Sequence, residues 1–530
     1  MLARLRVSFR DPLFSLCLTA GLLAFVVQSG ELGTSDTMHR LQTTHSFWTS
    51  QPQVFPDEYP EFGVHGRGGK LYSWYGMGQS LLMLPADIAG TFLQRLPIFA
   101  RYDDTDPTVR DIFVTYTTNI LINVLTVLVC FRFLRQFKFS PRESVAGVLA
   151  LLFCTTHLHY TQNMMENNYI MLLTLTGFSF QYEWLRTGSK RALRLGSLAL
   201  GLNLLTRLTT GLDLIAAATF LLLVLRFDGT AKESAGKHIL IYLKTALPIY
   251  AFFLLIDRAY QFYRFGSWFD TYVYYFALEF RKQDPTLPPN FPWTTPFHAG
   301  FFGPLFSPEK SIFLFDPLLI LTLLISVVVW RRCRPEVKAY IVASILLLLA
   351  YISFYARYFV WSGDFAWGDR YVSTSVEFAT LISVPLLLHY RAEVGKTLSS
   401  VGVVLITASA IIQLASLAFW LPLEIYQMET FGHPTFVIGL RFKNILAFSL
   451  GKMNAWGLNT QAMTEDPWDY VHITTWNFLP FLLRRVGEAP RWVVDVAFAV
   501  WGSGIVALTF ALSRLGSILT APTAMKTAAN

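Results

Sequence analysis

Residues 29 to 40 read SGELGTSDTMHR and place Glu31 and Asp36 just beyond the first long apolar run of a chain in which only 15% of residues are charged. A carboxylate there could take a proton from an acceptor hydroxyl or amine, because a general base must lie within hydrogen-bond reach of the proton it removes. Asp36 is the first candidate for that base and Glu31 the reserve. Each has a structural alternative. SDTMHR also reads as a helix start with Ser35 or Asp36 as its N-cap, and Glu31 as a solvated loop carboxylate. Glu166, in NMMENNY, is a further catalytic candidate. It could position the acceptor or hold a divalent cation with Asp36, or rest at an interface hydrogen-bonded by Asn163, Asn167 or Asn168.

Expelling a phosphate also requires positive charge. The candidates are Lys70, with Arg67, in GVHGRGGKLYSWYG, Arg264 in YRFGSWFD, Lys310 in FSPEKS and Arg370 in WGDRY. Arginine offers a planar fork that fits phosphate oxygens, and lysine a mobile point charge. Any of them could instead pair with a carboxylate or a lipid headgroup. Tyr72, Tyr75, Trp367 and Asp364, within or beside these motifs, are the candidate substrate contacts. Arg207, in an apolar stretch, reads as a structural ion pair with Asp213 or as part of the same pathway. His39 and His45 lack the i, i+4 spacing of a helical metal pair, and HGRGGK lacks GxxxxGK[ST]. Neither a histidine metal site nor a P-loop follows.

The elements that position these groups are helices. With 53% hydrophobic residues, apolar runs long enough to cross a core of about 30 Å recur along the chain, without the alternation of a barrel strand. The expected fold is an all-α polytopic membrane protein. Spans are expected at 12–29, 111–131, 144–161, 168–185, 193–207, 210–226, 239–256, 312–330, 339–360, 371–389, 398–420 and 492–513, about twelve in all. If Tyr72–Gln94 also crossed, the basic clusters after Arg4, Arg6 and Arg10 would move to the opposite face. Left uncrossed, it keeps Arg132–Arg142, Arg186–Arg194, Arg226–Lys237, Arg331–Lys338 and Arg391–Lys396 on one side, as the positive-inside rule requires. The segment is therefore read as an interfacial or re-entrant helix, with both termini cytoplasmic and long outer loops at 30–110, 257–311 and 421–491.

Residues 1–420 form one membrane domain on this reading; 421–530 add the outer segment 421–491, a last span and a cytoplasmic tail. MLARLRVSFR and the apolar run after it are read as an uncleaved first helix. The net charge of +8 is dispersed between apolar runs, which argues against nucleic acid as a partner. Cys17, Cys130, Cys154 and Cys333 show no CxxC spacing, so neither a disulfide framework nor a zinc site is expected.

SDTMHRLQTTHSFW, GRGGKLYSWYGMGQSLLMLP, RFGSWFDTYVYY, LFSPEKSIFLFDPLLI and WSGDFAWGDRYV, taken in order on one expected face, resemble the GT-C superfamily of membrane glycosyltransferases. The likeness is to family-39-like bacterial proteins related to protein mannosyltransferases and lipid A aminoarabinose transferases, and it covers about residues 12–390. It implies a helical bundle whose first outer loop carries interfacial helices and the catalytic acid, here Asp36. A second-loop acid would correspond to Glu166, and the cations near the lipid phosphate to Lys310 and Arg370. The implied reaction is inverting transfer of a sugar from a polyprenyl-phosphate donor to an envelope lipid, glycan or protein. It would take place on the outer face of a bacterial plasma membrane. The donor is a substrate; no cofactor is implied, and a divalent metal is neither required nor excluded. Two departures stand out: SDT has a single aspartate where several relatives have an Asp-Glu pair, and SPEKS has Glu309 where glycine is common.

The chief rival is a polytopic transporter or lipid-linked-sugar flippase. Such proteins carry paired repeats with broken helices at matching positions, which the sequence does not display. A noncatalytic envelope scaffold comes third.

Overall fold

The computed structural model describes residues 11–55, 63–102, 107–228, 235–363, 366–420, 423–424, 427–428, 432, 436–458, 475–487 and 489–520. Arg4, Arg6, Arg10, Lys232, Asp364, much of 421–491 and the tail after 520 lie outside the described residues.

The chain is an all-α polytopic membrane protein. Helix α1 (Pro12–Val27) starts where Asp11 accepts the amide of Leu13 and Pro12 occupies the first turn, the position that needs no amide donor. After α2 (Ser35–Ser46) comes a hairpin of β1 (Gly63–His65) and β2 (Leu71–Ser73), in register Val64 opposite Tyr72. Then follow α3 (Met77–Gln94), α4 (Val109–Gln136), α5 (Pro141–Cys154), α6 (His157–Gln162), α7 (Asn167–Thr187), α8 (Lys190–Leu204), α9 (Gly211–Asp228) and α10 (Ala235–Phe265). The second half holds α11 (Tyr272–Gln283), α12 (Phe297–Phe306), α13 (Ile312–Phe315), α14 (Leu318–Val329), α15 (Pro335–Tyr355), α16 (Ser373–Thr380), α17 (Ser383–His389) and α18 (Arg391–Ser416). The described part ends with α19 (Val437–Ser449), α20 (Leu479–Val486) and α21 (Arg491–Thr520).

Each expected span has helix at its place, but not each is one uninterrupted crossing. Among the described residues, six helices are long and apolar enough to cross a membrane: α4, α9 with the turn before it, α10, α15, α18 and α21. Three expected spans are broken, between α5 and α6, between α13 and α14 at Asp316–Pro317, and between α16 and α17. Proline removes an amide donor and clashes with the preceding turn, which accounts for the second break.

Tyr72–Gln94 is corrected in part. Tyr72 lies in strand β2, and only Met77–Gln94 is helix. That helix is not among the candidate spans; it packs along α2 and α4. Its buried Asp87 is held by His45 at 3.0 Å, Trp48 at 2.7 Å and Arg110 at 2.5 Å.

Three of the basic clusters meet at one end of the bundle. Arg186 donates to Gln136 O (3.2 Å), Arg334 to Phe137 O (2.9 Å), and Tyr390 to Arg332 O (3.1 Å). Between the two ends, lipid supplies no hydrophobic drive for helix association, so close packing does. Where α7 and α8 cross, a Cβ on Gly196 would stand 2.9 Å from Gly177 O, and only glycine permits that approach.

Candidate active site

Asp36 sits in the first turn of α2, capped by Thr34, whose hydroxyl accepts the amide of Thr37. Neither Ser35 nor Asp36 is the cap, which corrects that alternative and leaves the Asp36 carboxylate free to face the site. Its Oδ1 accepts the Tyr75 hydroxyl at 2.6 Å, and its Oδ2 lies 2.5 Å from Arg370 Nη1. Four residues on, where an α-helix returns to the same face, Arg40 lies 2.7 Å from Glu166 Oε2 and 4.2 Å from the Tyr75 ring centre. Arg207 closes on the other oxygen of Glu166. Two carboxylates and three guanidiniums, from four separate stretches of chain, thus share one end of the bundle, at the end of α7 away from Arg186.

Burial by itself would push the Asp36 carboxyl up. The guanidiniums of Arg370 and Arg40 and the Tyr75 hydrogen bond outweigh it and hold Asp36 well below the usual carboxylate range. Burial, and then the Asp36 charge, push the Tyr75 phenol well above its ordinary value, so it stays a donor. Glu166 is fully buried; burial pushes it up, but Arg207, Arg40 and Arg370 together bring it below its ordinary value. Tyr371 lies beneath two of the cations, 5.3 Å from Arg207 and 5.4 Å from Arg370.

Several expectations need correction. Arg207 pairs with Glu166, not Asp213; Asp213 is held by Thr174 (2.8 Å), Asn203 (3.2 Å) and Tyr351 (3.1 Å). The asparagines beside Glu166 do not hold it. Asn167 donates to Arg370 O and to Ser373, both at 2.8 Å, and Asn168 donates to His157 O at 3.0 Å. Glu31 is 6% exposed, so it is not a solvated carboxylate. Among the described residues no three of His, Cys, Asp and Glu converge as a metal would need, and the carboxylates of Asp36 and Glu166 face guanidiniums.

The remaining candidates act through the backbone or stand apart. Arg264, fully buried, donates to Ser73 O and, at 3.2 Å, to Tyr75 O, which fixes the turn that presents Tyr75. Lys310 is 2% exposed and donates to Ala366 O at 2.8 Å, placing it beneath the loop that bears Arg370. Trp367 is buried against His159 and Phe315, with Arg441 5.1 Å from its ring centre. Tyr72 packs edge-on against Tyr263 and Phe265, and Lys70 is exposed at the hairpin turn. A close approach also sets Arg207: Gly78 N donates to Leu205 O at 2.9 Å, and a Cβ on Gly78 would stand 2.7 Å from Thr206 N. Sequence reasoning missed Arg40 and Tyr371. The i, i+4 spacing of Asp36 and Arg40 is the signal that was there to find.

No protein-family model matches the chain, and no curated protein matches it. Among solved structures it is similar to the crystal structure of the Archaeoglobus fulgidus oligosaccharyltransferase, tethered through a disulfide bond to an acceptor peptide containing the NVT sequon. Identity is 13% and the TM-score 0.42, over 76% of this chain and 55% of that one. The chain therefore spans about half the length of that structure, and no residue correspondence follows at that identity.

Proposed function

We propose that this protein is an inverting glycosyltransferase that moves a sugar from a polyprenyl-phosphate donor to an envelope acceptor on the extracytoplasmic face. The observation that carries this reading is the pairing of Asp36 with Arg370 inside a cluster of three guanidiniums and two carboxylates. The cluster keeps one positive charge beyond what its own carboxylates neutralise, as an anionic donor requires. Motif order along the first 390 residues supports the same class.

Asp36 held so far down is a weak base at rest, since basicity falls with pKa. A donor phosphate competes for Arg370, and as Arg370 turns toward it, Asp36 recovers basicity. The acceptor O–H or N–H then gives its proton to Asp36. The new bond forms at the anomeric carbon as the bond to the phosphate oxygen breaks, and Arg370 meets the leaving charge. Glu166 keeps Arg40 and Arg207 in place, Arg264 fixes the Tyr75 turn, and Lys310 props the 366–368 loop.

The rival, transport or lipid flipping, gains from the three interrupted helices. Mass spectrometry of envelope glycans, lipids and proteins from a strain lacking the protein separates the two. The expected result is one missing sugar residue, restored by the wild-type chain and not by Asp36→Asn. A general base contributes about 10²- to 10⁴-fold in rate, so the purified Asp36→Asn variant in liposomes should lose nearly all turnover. A full glycan complement in the deletion strain, or unchanged turnover in that variant, refutes the reading.

A further inference from the structure

Beneath this cluster, two of the breaks in the membrane helices meet at a second set of ionisable groups. Thr156, at the break between α5 and α6, donates its amide to Asp316 Oδ1 at 2.8 Å. Its hydroxyl lies 3.2 Å from Asp316 Oδ2 and 3.0 Å from Glu377 Oε1. Asp316 occupies the break between α13 and α14, and Glu377 sits on α16, one turn, about 6 Å, below Ser373. The side chains of Glu377 and His157 are fully buried, and Asp316 is 2% exposed. Among the described residues no lysine or arginine nitrogen ion-pairs with either carboxylate; His157 Nδ1 lies 3.7 Å from Glu377 Oε2.

The donors do not suffice for two carboxylates. Thr156 has one hydroxyl hydrogen for two acceptors, and Glu377 Oε2 and His157 Nδ1 have no hydrogen-bond partner. Asn123 Nδ2 donates to Asn119 O at 2.9 Å, which leaves its Oδ1 to accept from His157 Nε2 at 3.1 Å. His157 Nε2 therefore carries a proton, and a ring with no second proton would turn a bare Nδ1 toward a carboxylate oxygen that has no donor. Two unpaired charges at such a place are strongly disfavoured, and a buried carboxyl takes up a proton instead. Tyr160 on α6 is a further titratable group near Glu377, and Asp369 and Arg370 lie near Tyr160 in turn.

We propose that Asp316, Glu377 and His157 form a proton-binding site distinct from the Asp36 cluster. One proton is shared by the two carboxyls at neutral pH, and His157 Nδ1 is the group that can take it over. Convergence of helix breaks on an ionisable pair is how membrane proteins build ion sites.

Infrared spectroscopy of the full chain in liposomes tests this at neutral pH. Wild type should show a protonated-carboxyl band that shifts in deuterated water and is lost in Asp316→Asn or Glu377→Gln, both of which preserve side-chain size. A wild-type spectrum whose difference from each variant contains only ionised-carboxylate bands overturns it. So does a band that appears only when sodium and potassium are replaced by choline, which would make this a metal-cation site. Nitrogen-15 NMR of histidine in the wild type needs no variant. It should report a neutral ring protonated on Nε2, and a ring already doubly protonated at neutral pH refutes the proposal.

Discussion

Arg370 Nη1 lies 2.5 Å from Asp36 Oδ2 across 334 residues of sequence. The pair joins the start of α2 to the loop before α16, so the proposed base and the proposed phosphate cation neutralise one another until a substrate separates them. The side chains keep 14% and 16% of their exposure, which leaves the pair open to exchange.

Tyr75→Phe removes the hydrogen bond that helps hold Asp36 down. Hydrogen bonds to charged groups contribute about 1.5–3 kcal/mol, and a pKa unit corresponds to about 1.4 kcal/mol. Asp36 must be ionised to act, so the rate falls as pH drops through its pKa. The acid limb of the pH profile of kcat, which reports Asp36 with the donor bound, should therefore move up by about one pH unit. An unmoved limb would remove Tyr75 from control of the base.

Glu166→Gln removes the carboxylate that pairs with both Arg40 and Arg207. Breaking a buried pair by removing one partner costs about 3–5 kcal/mol, so thermal unfolding in detergent should begin at a clearly lower temperature. Adding Arg207→Met should recover part of the loss, because it removes one of the uncompensated charges. Equal melting of wild type and Glu166→Gln would show that the ion pairs carry no stability.

Asp369 is pushed up to about 7, chiefly by burial and against the Tyr371 amide and Lys310. A carboxyl raised in the folded state stabilises fully below its unfolded value, about 4. That contribution disappears as pH rises through about 7. Melting temperature should thus decline across that window in wild type, and less steeply in Asp369→Asn. Parallel pH curves would refute the assignment.

The sequence alone determined the all-helical membrane character and the order of the apolar segments. Those properties depend on local composition and on the cost of placing charge in lipid. It also marked Asp36, Glu166 and Arg370 as residues of interest, because a charged group at a membrane boundary is expensive to keep there without a role. Tertiary structure decided the partnerships. Arg207 finds Glu166 rather than Asp213, six positions away, because Thr174, Asn203 and Tyr351 already satisfy Asp213. Arg264 and Lys310 serve backbone carbonyls, and Trp367 is packed from sight. Which cation meets which carboxylate depends on helix crossings and breaks that bring distant turns together, and side-chain type along one strand of sequence does not encode those distances.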